Sequence, residues 1–338
     1  MPRRSAITLR DVVSLNTLVT AFCRASRGHG GAPAVQRFGA SLDAELARLR
    51  EDVLEGRAPD GRWTTFTVFD PKRRVIQAPC FRDRVLHHAL MEHMGPVLER
   101  ALVDDTYACR PGRGTLAAVR RAQAHVRRFA WCVKADVRAY FASIDHGVLR
   151  GILQRRFRDA GVLGLCARIL TAVPRAEAVA VGLPIGALTS QHFANAYLDA
   201  LDRHLLETLR VRAMVRYMDD VLWWCDTREE AAATLASARA FAQEHRKVVL
   251  KPDAVIARST AGVSFLGFRV TAGALRLSLR RKRRYAAARA RWERAWEEGR
   301  IDALALQAGG MSALAVTAHA DAVPWRRAEL ARRKSVDA

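Results

Sequence analysis

The run Ala213-Met214-Val215-Arg216-Tyr217-Met218-Asp219-Asp220-Val221-Leu222-Trp223-Trp224 limits this chain more than any other segment. Two adjacent carboxylates interrupt a pattern that otherwise reads as β-strand. Carboxylates are costly in such a setting unless a charge compensates them, and a bound cation is the usual compensation. Residues 213–225 therefore read as a hairpin that lifts Asp219 and Asp220 at its tip, with apolar strands behind. Hard divalent ions such as Mg²⁺ take a few carboxylates together with substrate phosphates as ligands. The pattern points to metal-assisted phosphoryl chemistry.

A second carboxylate cluster lies upstream in Lys134-Ala-Asp136-Val-Arg-Ala-Tyr140-Phe141-Ala-Ser-Ile-Asp145. Asp136 closes a short apolar strand that begins near Ala130. Alone, Asp136 could equally cap the next helix. Taken with the Asp-Asp hairpin, it supplies a third carboxylate from a second strand end. Three such groups can hold two metal ions about 4 Å apart, one activating a hydroxyl and one stabilising a leaving oxygen. Asp145 reads as a helix cap rather than a ligand, and Asp220 as a residue that acts more by its field than by direct ligation.

The chain has 338 residues, of which 50% are hydrophobic, enough for a sizeable core or two subdomains. Its 56 Lys+Arg outnumber 34 Asp+Glu, for a net charge of +22. That field suits a polyanion, most simply nucleic acid, although an Arg- and Ala-rich, Lys-poor composition also reflects GC-rich coding. The six cysteines are scattered without a Cys-x-x-Cys pair. This argues against a zinc site or a disulfide framework and suits reduced thiols in a cytoplasm. The start, Met-Pro-Arg-Arg-Ser, lacks a signal peptide's apolar stretch, and no apolar run is long enough to span a bilayer.

Periodicity predicts helices over 8–26 and 41–55 around a Gly-rich linker, and a hairpin with a basic tip over 63–79. Further helices are expected over 82–102, 146–173, 190–210 and 228–246, with a strand or hairpin over 262–270. From Leu279 onward the chain reads as helical and basic, with no acidic residue from Arg276 to Trp292. Trp223-Trp224 read as core rather than as base-stacking residues, and His87-His88 as surface or packing residues rather than as metal ligands, since adjacent helical residues face different ways.

Together these segments resemble the reverse transcriptases. Tyr217-Met218-Asp219-Asp220 is similar to their motif C. The Asp136 segment is similar to motif A, and the resemblance adds Val137 to the metal-holding set of Asp136, Asp219 and Asp220. It also makes Phe141 the steric gate against a ribose 2′-OH. Asp70-Pro-Lys72-Arg73-Arg74-Val-Ile resembles the fingers motif, which assigns Lys72 and Arg74 to the incoming triphosphate. Thr106 to Thr115, with Arg110 and Arg113, resembles a bacterial Gly-rich basic element that meets the template–primer. Phe265-Leu266-Gly267 resembles the primer grip. The basic run Arg280, Arg281, Lys282 and Arg284 stands where the thumb belongs. Lys251 loosely resembles a motif D lysine.

The resemblance implies an α/β (α+β) right-hand polymerase with fingers, palm and thumb and an antiparallel palm sheet backed by helices. An N-terminal helical extension over 1–62 is expected. Fingers and palm follow over 63–270, with the fingers at about 63–130 and 146–180, and a basic helical thumb over 271–338. The implied activity is RNA-templated DNA synthesis from dNTPs on a DNA or RNA primer with two Mg²⁺, Mn²⁺ able to stand in. The chain stops soon after the thumb, so no RNase H domain, maturase extension or His-Asn-His endonuclease is expected.

Gly182-Leu-Pro184-Ile185-Gly186-Ala-Leu-Thr-Ser190-Gln191 refines the resemblance. Most reverse transcriptases have Gln before this Gly and Ser-Pro at the end; Ile185 and Ser190-Gln191 resemble instead the enzymes of diversity-generating retroelements, bacterial or phage-encoded. Those copy a template-repeat RNA into cDNA mutated mainly at adenines. Ile185, Gly186 and Gln191 are thereby assigned to the nucleotide site, and a small basic accessory protein, an oligomeric helical bundle, is the implied partner. A retron-like, CRISPR-associated or defence enzyme, and a catalytically idle RNA-binding module, stay open as alternatives.

Overall fold

A computed structural model describes residues 4–69, 73–173 and 180–332. The elements follow as α1 (Leu9–Val12), α2 (Leu15–Ser26), α3 (Pro33–Ala40), α4 (Leu42–Leu54), β1 (Trp63–Phe69), β2 (Arg73–Pro79), α5 (Phe81–Ala101) and α6 (Thr115–Arg128). Next come β3 (Trp131–Asp136), α7 (Tyr140–Ser143), α8 (His146–Arg156), α9 (Ala160–Thr171), α10 (Leu188–Arg203), β4 (Ala213–Tyr217), β5 (Asp220–Cys225) and α11 (Arg228–Arg246). The last are β6 (Val255–Arg258), β7 (Val263–Phe265), β8 (Phe268–Val270), β9 (Leu275–Leu277), α12 (Leu279–Glu297), α13 (Ala303–Ala315) and α14 (Val323–Arg332). The fold is mixed helix and strand with antiparallel sheets.

Two compact units interleave along the chain: 1–104, 137–204 and 237–251 form one, and 105–136, 205–236 and 252–338 the other. The first unit is mainly helical and carries the hairpin β1–β2. Leu18, Leu49, Leu86, Leu90, Phe193 and Tyr197 are wholly buried within it. Phe22, Phe38 and Phe81 join α2, α3 and α5 through one stacked and two edge-on contacts, with centroids 5.4–6.0 Å apart.

Capping residues explain where the helices depart from their expected spans. Ser14 accepts from Thr17 N–H and starts α2, which divides the expected 8–26 helix. Asp159 does the same for α9 through Val162 N–H at 2.8 Å and divides 146–173. Asp145 caps α8 through Val148 N–H at 2.8 Å, as expected. Pro33, read as the end of a linker, instead opens α3, because its fixed φ and missing N–H suit a first helical turn.

The second unit holds a four-stranded sheet in the order β4-β5-β3-β6 and a three-stranded sheet β7-β8-β9. Ala118, Val119, Ala122 and Val126 of α6 pack on Cys132, Val215, Leu222 and Trp224 of the larger sheet, and the same core includes Phe265 and Phe268. Central strand β5 is buried from Val221 to Cys225, which is why it reads as a continuous apolar run rather than an alternating one. Trp223 and Trp224 are core, as expected, at 0% exposure.

Two glycines separate backbone need from tolerance. Gly186 has φ +130°, and a Cβ there would meet the Gln77 carbonyl oxygen of β2 at 2.7 Å. Gly310 in α13 has open space and a helical backbone. Gly186→Ala is expected to destabilise the protein by about 2 kcal/mol or more, combining backbone strain with displacement of β2. Gly310→Ala should stabilise it by about 0.5–1 kcal/mol. Denaturant midpoints of the two variants check this, and equal shifts would refute it.

Candidate active site

In the second unit, β3 and β5 are antiparallel neighbours in a register that sets Asp136 directly opposite Asp220. Tyr217 pairs with Asp220 on the other side, so Met218 and Asp219 form a two-residue hairpin tip. Met218 has φ +59°, the left-handed conformation that short hairpin turns require. The sheet thus brings Asp136, Asp219 and Asp220 to one end. Asp136 closes β3 and does not cap a helix; Ala139 is the residue before α7.

Two cations hold this end, and neither was assigned a role from the sequence. Arg216, at 0% exposure, donates from Nη1 to the Met218 carbonyl at 2.9 Å and so braces the tip from within β4. Its own backbone pairs with Asp105 and Tyr107, whose N–H donates to the Arg216 carbonyl. Lys134 lies two residues before Asp136 on the same face of β3. Its Nζ is 3.6 Å from Asp220 Oδ2 and donates to the Ser264 carbonyl at 2.7 Å. A lysine at that spacing and an arginine inside an apolar strand are legible signals once the two carboxylate strands are known to be neighbours.

Burial pushes the Asp220 carboxyl up to about 6; Lys134 lowers it, and repulsion from Asp136 and Asp219 raises it. Asp220 Oδ1 is buried and accepts no hydrogen bond among the described residues. That lone pair, and the excess of negative charge around it, fits a divalent cation. Among the described residues, the group of three or more candidate ligands whose atoms all lie within 4.8 Å of one another is instead Asp60, Cys80 and Asp83. Asp83 there already accepts from the N–H groups of Asp60 and Gly61, and Asp60 pairs with Arg62 and Arg82. That cluster closes a turn and its carboxylates are already partnered, whereas Asp220 Oδ1 at the strand ends has no partner among the described residues.

The remaining sequence-assigned residues fall into three groups. In the first unit, Ile185 accepts from Gln77 N–H through its carbonyl at 2.8 Å, which seats Ile185 and Gly186 against β2, the strand that carries exposed Arg74. Leu183 N–H donates to the Phe141 carbonyl at 2.6 Å, so Phe141, half-buried, borders the same loop. Gln191 is exposed on α10, and Val137 is buried with its backbone bridged to Leu250. Lys72 lies outside the described residues.

In the second unit, Arg110 donates to the Thr106 carbonyl at 2.8 Å and Arg113 stacks 5.4 Å from the Tyr107 ring centroid. Both help shape the loop before α6. Phe265 is core, while Leu266 (φ +47°) and Gly267 (φ +84°) make the β7–β8 turn. The basic run on α12 divides by face. Arg281 lies over Phe268 at 4.1 Å and Lys282 over Trp325 at 5.4 Å, whereas Arg280, Arg283, Arg284, Arg291 and Arg294 are exposed along one helical stripe.

The family model for reverse transcriptase (RNA-dependent DNA polymerase) matches residues 69–270. Protein YkfC of Escherichia coli (strain K12) is 27% identical over 179 residues, covering 50% of this chain and 47% of that protein. Group II intron-encoded protein LtrA of Lactococcus lactis subsp. cremoris is 26% identical over 140 residues, 40% of this chain and 23% of LtrA. Telomerase from Candida albicans, in complex with a fragment of telomeric RNA, has a TM-score of 0.47 and 11% identity, covering 68% of this chain and 48% of that one. The chain spans about half the length of these relatives or less. No helix among the described residues is long and apolar enough to cross a membrane.

A proton on Asp220 competes with a cation. Because its folded pKa is raised, the metal-free protein loses stability as pH rises through about 6. Mg²⁺ should restore that stability, and its affinity should climb over the same interval. Lys134→Met should move the climb to higher pH, since Lys134 holds the Asp220 pKa down. Isothermal titration with Mg²⁺ between pH 5 and pH 8 tests this; a pH-independent affinity would refute it.

Proposed function

The chain belongs to the reverse transcriptase (RNA-dependent DNA polymerase) family, and on that premise we propose that it synthesises DNA on an RNA template. The cross-strand pairing of Asp136 with Asp220, with Asp219 at the adjoining tip, carries this reading. An idle RNA-binding fold gains nothing from three clustered carboxylates, which repel one another without a cation. In this proposal 63–270 is fingers and palm and 271–338 the thumb.

Asp136 and Asp219 hold two Mg²⁺ ions, Asp220 supports them by its charge, and the backbone at Val137 borders the same site. Bound there, the ions supply activation of the primer 3′-OH and neutralisation of the leaving pyrophosphate. Lys72 and Arg74 grip the β- and γ-phosphates, since phosphoryl transfer asks the protein mainly for positioning and charge. Phe141 stands against a ribose 2′-OH, and Ile185-Gly186 borders the nascent pair with Gln191 beyond it. The exposed α12 stripe with Arg280 and Arg284 tracks the template–primer backbone.

The finer reading is a mutagenic enzyme of the diversity-generating type, working with a small basic accessory protein. Ile185 supports it. Glutamine at this position can hydrogen-bond near the nascent pair, and isoleucine offers only apolar contact, a difference of about 1–3 kcal/mol in discrimination. The names of LtrA and of nuclear intron maturase 1 of Arabidopsis thaliana, 32% identical over 95 residues, favour a second reading, an intron-maturase-type protein.

The test is primer extension by the purified protein on a defined RNA template with dNTPs and Mg²⁺, followed by sequencing of the cDNA. Asp219→Ala should fall below about 1% of wild-type activity, because an ion's charge stabilisation is worth several kcal/mol. Ile185→Gln should lower misincorporation at template adenines about tenfold or more. Faithful wild-type product would sink the mutagenic reading and leave the polymerase. Silence with accessory protein and native RNA added would sink both.

A further inference from the structure

Away from the carboxylate triad, the first unit contains a cavity of about 740 Å³ bordered by α5, α8, α10 and the end of α11. That volume is in the range of small-molecule sites. Its floor is apolar, formed by Leu98, Leu102, Ile152 and Ala196. Its charge is one-sided: the guanidiniums of Arg4, Arg155, Arg156, Arg203 and Arg246 surround a single carboxylate, Asp199.

Asp199 is already engaged. Its Oδ2 accepts from Arg203 Nε at 3.0 Å and lies 4.0 Å from Arg156, and its Oδ1 accepts from Val103 N–H at 3.2 Å. Arg203 is further fixed by donating to the Ala101 carbonyl at 2.7 Å. No ion pair joins Arg4, Arg155 or Arg246 to a carboxylate among the described residues. Arg246 donates from Nη1 to the His245 carbonyl, and its Nε is buried with no acceptor among the described residues. Burial and the like charge of Arg155 both lower the Arg246 pKa. A partly buried guanidinium in that condition is costly unless an anion meets it.

The lining cations are all arginines. The guanidinium fork matches phosphate bidentately and stacks on planar groups, and an ammonium does neither. An arginine rim over an apolar floor suits a nucleotide, with phosphate at the rim and base or sugar below. We propose that this cavity is a second, non-catalytic RNA site that takes a backbone phosphate between Arg155, Arg156 and Arg246 and the adjoining nucleoside on the Leu98–Ile152 floor. The choice of RNA among polyanions rests on the polymerase reading above. The cavity would then anchor template RNA outside the stretch being copied.

The experiment uses the full chain without dNTPs and measures binding of two probes over a range of salt. One is a minimal RNA template–DNA primer duplex; the other is the same duplex with a long single-stranded RNA extension. The proteins are wild type, the Arg155→Gln/Arg246→Gln variant and the Arg155→Lys/Arg246→Lys variant. The Gln pair should bind the extended probe about tenfold more weakly, with the salt slope smaller by about 0.7 for each phosphate that is no longer neutralised. Affinity for the minimal duplex, and the rate of primer extension on it, should stay within twofold.

The Lys pair keeps the charge without the fork, so it should restore the salt slope and recover part of the affinity. If it does not, the loss is structural and the proposal falls. Unchanged affinity and slope for the extended probe in the Gln pair would also overturn it. So would saturable binding of AMP or inorganic phosphate in the cavity with RNA affinity untouched, which would make it a free-anion site. Because binding is read without nucleotides, a wild type that cannot extend the primer would sink the polymerase reading alone.

Discussion

Two carboxylates face each other across adjacent antiparallel strands, and the second unit is organised around tolerating that pair. Like charges directly opposite in a sheet are destabilising. Asp136 and Asp220 nevertheless occupy opposed positions in the β3–β5 register, with Asp220 half-buried and its Oδ1 shielded from water. Lys134, diagonal to Asp220 on the same face, offsets part of the repulsion within the chain. Its second contact, to the Ser264 carbonyl, connects the carboxylate end of the larger sheet to the β7–β8 hairpin. The net negative field that remains is what a divalent cation would satisfy, so the cost of the arrangement and its chemical use have one origin.

Precision at the tip comes from burial behind it. Trp223 and Trp224 fill both sides of β5, and Arg216 reaches from inside β4 to the Met218 carbonyl. A buried arginine without its acceptors would cost several kcal/mol, so the tip conformation and the Arg216 contacts enforce each other. Arg216 also ties in the loop before α6, since Tyr107 and Asp105 pair with its backbone. That loop's basic residues are thereby held to the strand that ends at the carboxylates.

Charge is handled differently elsewhere. On α12 the basic run divides into arginine and lysine that cover Phe268 and Trp325 and an exposed arginine stripe. In the helical unit, arginines crowd an apolar cavity with one carboxylate among them. A net charge of +22 is therefore not an even coat but several distinct surfaces, and composition alone could not separate them.

The amino-acid sequence by itself determined the hairpins at 63–79 and 213–225, the helix over 228–246 and the position of Asp136, Asp219 and Asp220 at strand ends and a hairpin tip. Each is a local pattern: alternation, a two-residue turn, or charge set in an apolar run. Asp145 as a cap and Trp223-Trp224 as core were legible for the same reason. The helix breaks at Ser14 and Asp159 are not legible because periodicity continues through a cap, and α3 is not because Pro33 closes a Gly-rich stretch that reads as a linker. Only the tertiary structure decided that Asp136 lies opposite Asp220, that Lys134 reaches Asp220, that Arg216 braces the tip, and that Ile185 rests on β2. Those facts depend on which strands become neighbours and in what register, which long-range packing settles and no local window of sequence contains.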